Sequence, residues 1–251
     1  MASLSEITQY CDQRLKTHSI SDFPGAANGL QLQNGGAVTK IGAAVDAGFI
    51  PFEKAVQNKV DFLIVHHGLF WEPAYPITEI RYKKYKLCLE NNLAIYGAHL
   101  PLDCHPEIGN NVLLAKQLNL QQKSWFLEYE GTPIGLITNN SESRASLKAK
   151  LEKLFPAGIT AIEKGSSEPN KVAIVTGSGA SAISEITAEE VDTLITGELK
   201  QHVYNQAEEL ALNLYCCGHY ATEVFGVKAL AKEVAKKFQV EWEFIETECP
   251  L

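Results

Sequence analysis

Hydrophobic residues along the chain fall into two alternating patterns. Short continuous apolar runs predict strands covered on both faces, at 41–45, 62–65, 93–96, 134–138, 171–175, 194–196 and 212–216. Segments with helical spacing or helix-start residues predict helices over 4–15, 51–59, 80–90, 143–154 and 221–237, with another from about 110. Residues 240–244 alternate with period two and predict a half-buried last strand.

This alternation predicts an α/β fold. Strands that alternate with helices favour parallel pairing with crossover helices, so we expect mixed, largely parallel sheets flanked by helices. In such sheets ligands bind at the carboxyl ends of the strands. Residues that directly follow the predicted strands are therefore the first candidates for a functional site.

Four of the seven histidines follow predicted strands. His66 and His67 come after 62–65, His99 after 93–96, and His219 after 212–216. A carboxylate accompanies two of these positions at a spacing of four residues, with Asp103 after His99 and Glu223 after His219. Imidazole and carboxylate together favour zinc, iron, nickel or manganese over calcium.

The number of candidate donors predicts an open metal site rather than a closed one. Adjacent side chains diverge in extended backbone, so His66 and His67 suit two ions better than one. With His219, Glu223 and a bridging Asp103, five side chains serve two ions. Two ions of coordination four to six have about eight to twelve positions, which leaves room for water or substrate. We therefore expect two divalent metal ions and a catalytic centre.

Each motif also has an ordinary structural interpretation. The histidine pair can be a hydrogen-bonded polar pair at a strand end, and His99 with Asp103 an ordinary loop. His219 and Glu223 can be a surface pair on one helix. Glu198, at the end of 194–196, can reach the same sheet edge or cap a helix. Only their joint occurrence at strand ends favours metal binding.

Composition narrows the class of protein. Lys and Arg number 22 and Asp and Glu 30, so the net charge is −8, which argues against a general nucleic-acid binder. The sequence shows neither an export signal nor an apolar run long enough to span a membrane, so we expect a cytoplasmic protein without a membrane partner. The six cysteines form no Cys-x-x-Cys motif and are interpreted mostly as small buried hydrophobes.

These motifs resemble those of a known family, the YbgI-like or NGG-interacting-factor-like proteins, often labelled GTP cyclohydrolase 1 type 2 homologues. Three blocks carry the resemblance: His-His-Gly-Leu-Phe-Trp at 66–71, His-Leu-Pro-Leu-Asp at 99–103, and Gly-His-Tyr-Ala-Thr-Glu at 218–223. The match runs from about Asn28 to the end of the chain. One departure is Phe-Pro-Gly-Ala-Ala at 23–27, where relatives often have Trp-Asp-Asn.

The resemblance implies a dinuclear metal centre with ligands at His66, His67, Asp103, His219 and Glu223. It places His99 at the site, outside this set of five ligands. It also implies a homohexameric ring, a toroid, of α/β subunits. The ligands at 66–103 must meet the ligands at 219–223. The stretch between them in the sequence therefore has room to form a lobe of its own, and we expect a two-lobed subunit. Residues 1–123 with 212–251 would form the metal-site lobe, and 124–211 an inserted second α/β lobe.

The leading hypothesis is a metal-dependent hydrolase that acts on a nucleotide or other heterocycle through metal-activated water, with His99 or Glu198 as proton carrier. The alternative is a non-catalytic metal-binding ring for storage, delivery or scaffolding. Nucleic-acid binding through the ring is a third interpretation, which the net charge disfavours. The sequence leaves the identity of the metal and of the substrate open.

Overall fold

The computed structural model describes residues 1–71, 75–247 and 249–250. The strands are β1 (Ala2–Ser3), β2 (Gly29–Leu32), β3 (Ala37–Val38), β4 (Lys40–Asp46), β5 (Phe62–His67), β6 (Ala94–Gly97), β7 (Gln121–Tyr129), β8 (Thr132–Asn139), β9 (Thr160–Glu163), β10 (Lys171–Ser178), β11 (Thr193–Glu198), β12 (Asn213–Cys216) and β13 (Glu241–Phe244). The helices are α1 (Leu4–Leu15), α2 (Phe49–Gln57), α3 (Glu79–Glu90), α4 (Leu100–Asp103), α5 (Asn110–Gln117), α6 (Arg144–Leu154), α7 (Ile183–Ile186), α8 (Val203–Glu209) and α9 (His219–Phe238). No helix in these described ranges has the length and apolar character that crossing a membrane requires.

The chain forms two compact units. The first consists of Met1–Leu102 and Gly226–Glu248, and the second of Asp103–Phe225 and Cys249–Leu251. Helix α9 begins in the second unit and continues into the first. Our sequence-based lobes have other boundaries, at 123 and 212, and they remain a prediction about domain organisation.

The first unit contains a five-stranded sheet in the order β13-β4-β5-β6-β2. Strands β13, β4, β5 and β6 run parallel, and β2 pairs antiparallel to β6 at one edge. The run 62–65 is fully buried, as a strand covered on both faces requires. Phe52 of α2 packs with Leu63 and Val65 in the core of this unit. The parallel α/β arrangement that the sequence predicts is therefore confirmed here.

The second unit contains a six-stranded mixed sheet in the order β7-β8-β10-β11-β12-β9. Its centre, β10-β11-β12, is parallel, whereas β7, β8 and β9 pair antiparallel. Apolar residues from α5, α6 and β10 form one of its cores, including Leu114, Leu151 and Ile174. Parallel pairing thus dominates the first sheet, and the second adds antiparallel edges to a parallel centre.

The antiparallel edge strand β7 is an element that the hydrophobic pattern does not predict. Its first residues, 121–124, are polar and carry no apolar run. Strand β7 forms a hairpin with β8 through a two-residue turn at Glu130 and Gly131, both of which have positive φ. Positive φ at both positions is typical of a type I′ hairpin turn. An edge strand tolerates polar residues because one of its sides is solvated, and this hides the strand from a hydrophobicity scan.

Asn111, near the start of α5, fixes this helix to two strands. Its Oδ1 accepts a hydrogen bond from Thr176 N at 2.9 Å, and its Nδ2 donates to Ile134 O at 2.9 Å. The side chain is buried, so both backbone groups depend on it for hydrogen bonding. The carboxyl end of β10 is positioned partly by this amide.

We therefore expect Asn111→Ala to lower the free energy of unfolding by about 2–3 kcal/mol, because it removes hydrogen bonds from two buried backbone groups. Urea unfolding followed by circular dichroism measures the change. Gln117→Ala, at an exposed position of the same helix, is the control and should stay within about 0.5 kcal/mol of the wild type. Equal stability of the two variants would contradict the role of Asn111.

Candidate metal centre

Three histidines lie at the carboxyl ends of two neighbouring parallel strands in the first unit. His66 and His67 are the last residues of β5, and His99 follows β6 by two residues. Because β5 and β6 pair in parallel, their carboxyl ends lie at the same edge of the sheet. The ring centroid of His66 lies 4.9 Å from that of His67 and 5.0 Å from that of His99. Each residue offers one nitrogen, and these nitrogens lie within 4.8 Å of one another, so the group can hold a metal ion.

Each of the three rings is anchored through Nδ1. His66 Nδ1 is 2.8 Å from the Ala98 carbonyl oxygen. His67 Nδ1 is 2.8 Å from Asp46 Oδ1, and His99 Nδ1 is 2.7 Å from Asp22 Oδ1. A carbonyl or carboxylate oxygen can only accept a hydrogen bond. Nδ1 therefore carries the proton, and the neutral ring has its lone pair on Nε2. This is the hydrogen-bonding pattern of metal-ligating histidines.

Sequence reasoning missed both anchoring carboxylates. Asp46 ends β4, the strand next to β5, and its register partner is His67. Its place directly after the apolar run 41–45 is a signal that could have identified it. Asp22 lies in a loop and has no comparable signal in the sequence. The structure shows that both hold histidine rings.

Asp22 is the more deeply buried anchor. Besides His99 Nδ1, its carboxylate accepts hydrogen bonds from Asn28 Nδ2 at 2.8 Å and from the backbone N–H of Leu100 at 3.0 Å. Burial raises the pKa of this carboxyl, but the hydrogen bond and charge of His99, with the bonds from Asn28 and Phe23, more than offset it and lower the pKa. Asp22 is therefore ionised and fixes the orientation of His99.

A glutamine explains why glycine follows the histidine pair. A Cβ at Gly68 or at Gly97 would overlap the side-chain amide of Gln31 in β2. The Oε1 of Gln31 accepts a hydrogen bond from Leu69 N at 2.6 Å. The Asn-Gly-Leu-Gln motif at 28–31 thus supports the loop after β5.

An aromatic side chain borders the three histidines. The Trp71 ring lies 5.1 Å from His99 and 6.2 Å from His67, edge-on to both. Its Nε1 donates a hydrogen bond to the Gly68 carbonyl at 3.1 Å, which holds the indole in place. Trp71 therefore lies against the histidine group.

The second unit carries its own group of histidine and carboxylate side chains. His219 and Glu223 lie in the first turns of α9, with Nε2 and Oε1 3.2 Å apart. Glu198, the last residue of β11, places Oε1 3.1 Å from His219 Nδ1. The hydrogen bond to Glu223 is the main cause that raises the pKa of His219 to about 9; burial opposes it, and Glu198 adds to it. His219 thus lies between two carboxylates, which favour a positive charge there.

Backbone geometry accommodates this group. Gly177, near the end of β10, has a φ of +68°, and a Cβ there would overlap Glu223 Oε1 and lie 3.0 Å from His219 Nε2. The Gly177 N–H donates to Thr222 Oγ1 at 3.0 Å. Only glycine lets β10 approach this close. A side chain at position 177 would therefore displace the carboxylate of Glu223.

Asp103 and the remaining histidines differ in their surroundings. Asp103 is buried at the end of α4, where Oδ1 accepts a hydrogen bond from Asn110 Nδ2 at 2.8 Å. His105 Nδ1 accepts from the backbone N–H groups of Glu107 and Ile108, so its role is local and structural. His18 is largely exposed, as expected for a solvated histidine.

The structure brings the sequence-predicted residues together in part. His66, His67 and His99 form one group in the first unit, while His219, Glu223 and Glu198 form another in the second. Imidazole nitrogens with fixed tautomers and carboxylate oxygens are suitable ligands for first-row divalent metals. The histidine group of the first unit could hold a metal ion, and His219 and Glu223 offer further donor atoms in the second unit.

Comparisons with known proteins find relatives that match this chain over nearly its whole length. A family model described as Duf34/NIF3 (NGG1p interacting factor 3) matches residues 2–250. A Pyrococcus abyssi protein named "GTP cyclohydrolase 1 type 2 homolog" is 41% identical over 248 residues, which cover 96% of this chain and 97% of the relative. The crystal structure of TTHA1606 from Thermus thermophilus matches with a TM-score of 0.89 and 34% identity, and the match covers 100% of both chains.

A second solved structure, protein ybgI, described as of unknown function, matches with a TM-score of 0.93 and 31% identity over 100% of both chains. These similarities extend far beyond the short motifs around the histidines. The chain belongs to the Duf34/NIF3 (NGG1p interacting factor 3) family.

Proposed function

We propose that the chain is a metal-dependent hydrolase with a dinuclear centre and acts on a nucleotide or related heterocycle. The observation that carries the proposal is the Nδ1 anchoring of three neighbouring histidines, which leaves each ring in the tautomer of a metal ligand. The curated relatives named "GTP cyclohydrolase 1 type 2 homolog" support a heterocyclic substrate.

The proposed ligands of two divalent ions are His66, His67, His219, Glu223 and a bridging Asp103. Zinc, iron, manganese and nickel all suit imidazole with carboxylate. When bound, two such ions supply Lewis acidity and activate water for attack. Five side chains leave positions for water and substrate, so the proposed site is open and suited to catalysis.

His99 and Glu198 are the proposed proton carriers. His99 is held by the ionised Asp22, which stabilises an imidazolium if the ring takes up a proton. Glu198 is half-exposed and contacts His219, so it can exchange protons with solvent. The rigid Asp22 contact orients His99, and the exposure of Glu198 gives it access to water.

The first experiment measures metal content and turnover together. We expect about two ions per chain in the wild type and a marked drop in Asp103→Asn, because an amide is a poor bridge between two cations. Elemental analysis of untagged protein purified without chelators measures the content, and a screen of nucleotides and phosphoesters measures turnover. Turnover should fall by at least about 100-fold in the variant.

Glu152→Gln, an exposed carboxylate-to-amide change in α6, is the matched control and should keep both metal and activity. A wild type without metal after soaking in zinc, manganese or iron would refute the metal centre. Two bound ions with no turnover on a broad panel would instead favour the alternative, a non-catalytic metal-binding ring for storage, delivery or scaffolding.

Asp46 provides a separate test of the histidine anchoring. Asp46→Ala should weaken metal binding by about 10–100-fold, since His67 loses the hydrogen bond that fixes its tautomer. The side chain of Asp46 is 45% exposed, so the thermal stability of the metal-free protein should change little. Competition with a metal-chelating dye measures the affinity. Glu53→Ala, which removes an exposed charge from α2, controls for the change in net charge, and equal affinities would argue against the anchor.

The proposed assembly is a homohexameric ring. Large hydrophobic side chains on or next to α3 are more than half exposed: Tyr75, Ile77, Ile80, Tyr82 and Leu89. Exposed apolar residues concentrated on one helix mark protein–protein contact sites. A second copy of the chain is the proposed partner for this surface.

We expect analytical ultracentrifugation to give about six times the chain mass of 27.6 kDa. Ile80→Asp should shift the protein to smaller species, because it places a charge in an apolar contact. Leu210→Asp, an equally apolar exposed position in the second unit, should leave the mass unchanged. A monomeric wild type would contradict the ring.

A further inference from the structure

A cavity of about 490 Å³ lies in the second unit, beside the group formed by His219, Glu223 and Glu198. It opens where β9 begins and β11 and β12 end, since Thr160 is the register partner of Cys216 and Cys216 that of Thr196. Glu198 lines the cavity and also contacts His219 Nδ1. A ligand in this cavity therefore lies next to the proposed centre.

The size and surface of the cavity suit a small planar molecule. Small-molecule pockets measure about 300–1,000 Å³, and this volume falls within that range. Its apolar walls come from Ala157, Ile159, Leu199 and Pro250. The rim is open at Gly158, where a Cβ would meet nothing within 4 Å. The apolar walls can contact the faces of a ring while polar groups bind its edge.

The charge of the lining indicates which ligands fit. Among the described lining residues Glu198 carries the one formal charge, and none is Lys, Arg or His. Burial, and after it the negative charge of Glu198, raises the pKa of the Cys216 thiol, so this side chain is neutral. The lining offers a phosphate group no cationic partner, because the neighbouring His219 is already paired with Glu198 and Glu223. A ligand that presents hydrogen-bond donors would be attracted.

Glu198 has the capacity to bind such a ligand. Its side chain is 53% exposed, and Oε1 accepts from His219. A carboxylate offers about four acceptor sites on its two oxygens, so the contact with His219 leaves further capacity. Two adjacent N–H donors on a ring edge match the two oxygens of a carboxylate, and hydrogen bonds to a charged acceptor are stronger than neutral ones.

We propose that this cavity binds the ring of an uncharged nitrogen heterocycle with two adjacent N–H donors, which pair with Glu198, and that it excludes phosphate. The proposal rests on the proposed function, because it assigns the position of the substrate ring in the same site. It also sets an orientation: the ring enters the cavity, and any phosphate stays outside it.

The test uses nucleosides as probes and isothermal titration calorimetry on the protein as purified. Guanosine carries adjacent ring and exocyclic N–H donors, whereas inosine lacks the exocyclic one. Guanosine should bind about tenfold more tightly than inosine, since one hydrogen bond to a charged group is lost. Millimolar inorganic phosphate should not compete with guanosine.

Two variants test the location, each with a matched control. Glu198→Gln should weaken guanosine binding about tenfold or more, and Ala157→Trp should block it by filling the rim. Glu185→Gln and Ala188→Trp make the same changes at exposed positions outside the cavity and should bind guanosine like the wild type. Residues 157 and 198 are exposed, so neither change threatens the core.

The outcomes separate this proposal from the proposed function. Equal affinities for guanosine and inosine, competition by phosphate, or unaltered binding in Ala157→Trp would each overturn the assignment of the cavity. Metal content is measured on the same samples. Normal metal content with no nucleoside binding overturns the cavity alone, whereas absent metal with intact guanosine binding overturns the metal centre and leaves the cavity supported.

Discussion

The chemistry of the candidate centre depends on one constraint, the hydrogen bonds that hold Nδ1 of three histidines. An imidazole whose Nδ1–H donates to a carbonyl or carboxylate has its lone pair on Nε2 and cannot rotate freely. The three acceptors are the backbone carbonyl of Ala98, the carboxylate of Asp46 on the neighbouring strand, and the carboxylate of Asp22 in a loop. The parallel sheet of the first unit places Asp46 at the end of β4 and Ala98 directly after β6, beside the histidines that end β5. Asp22 reaches His99 from a loop.

The candidate site residues also depend on close approach of the backbone to side chains. Gly68 and Gly97 leave room for Gln31, which supports the loop after the histidine pair. Gly177 lets β10 pass against His219 and Glu223. A Cβ at any of these positions would displace a polar group that positions or forms the candidate site. Steric contacts within each unit therefore explain why glycine occupies these positions beside the motifs.

The sequence predicts the parallel strands and the site histidines because both leave strong local patterns. Buried strands appear as apolar runs, and the residues that follow them lie at one edge of a sheet. Strand β7 was missed because a polar edge strand lacks that pattern. Asp22 was missed because its role arises from a contact 77 residues away in the chain, with His99. Local patterns identify ligand candidates, whereas the residues that orient them depend on tertiary contacts.

The electrostatics of the candidate site connect the two proposals. In the second unit His219 lies with two carboxylates, and the adjoining cavity adds no cationic side chain among its described lining residues. Such an environment attracts divalent cations and repels phosphate until a cation is bound. With its ring in the proposed cavity beside Glu198, a nucleotide would extend its phosphates out of that cavity. In the order of binding that the two proposals imply, the cations bind first, because they remove this repulsion of an anionic substrate.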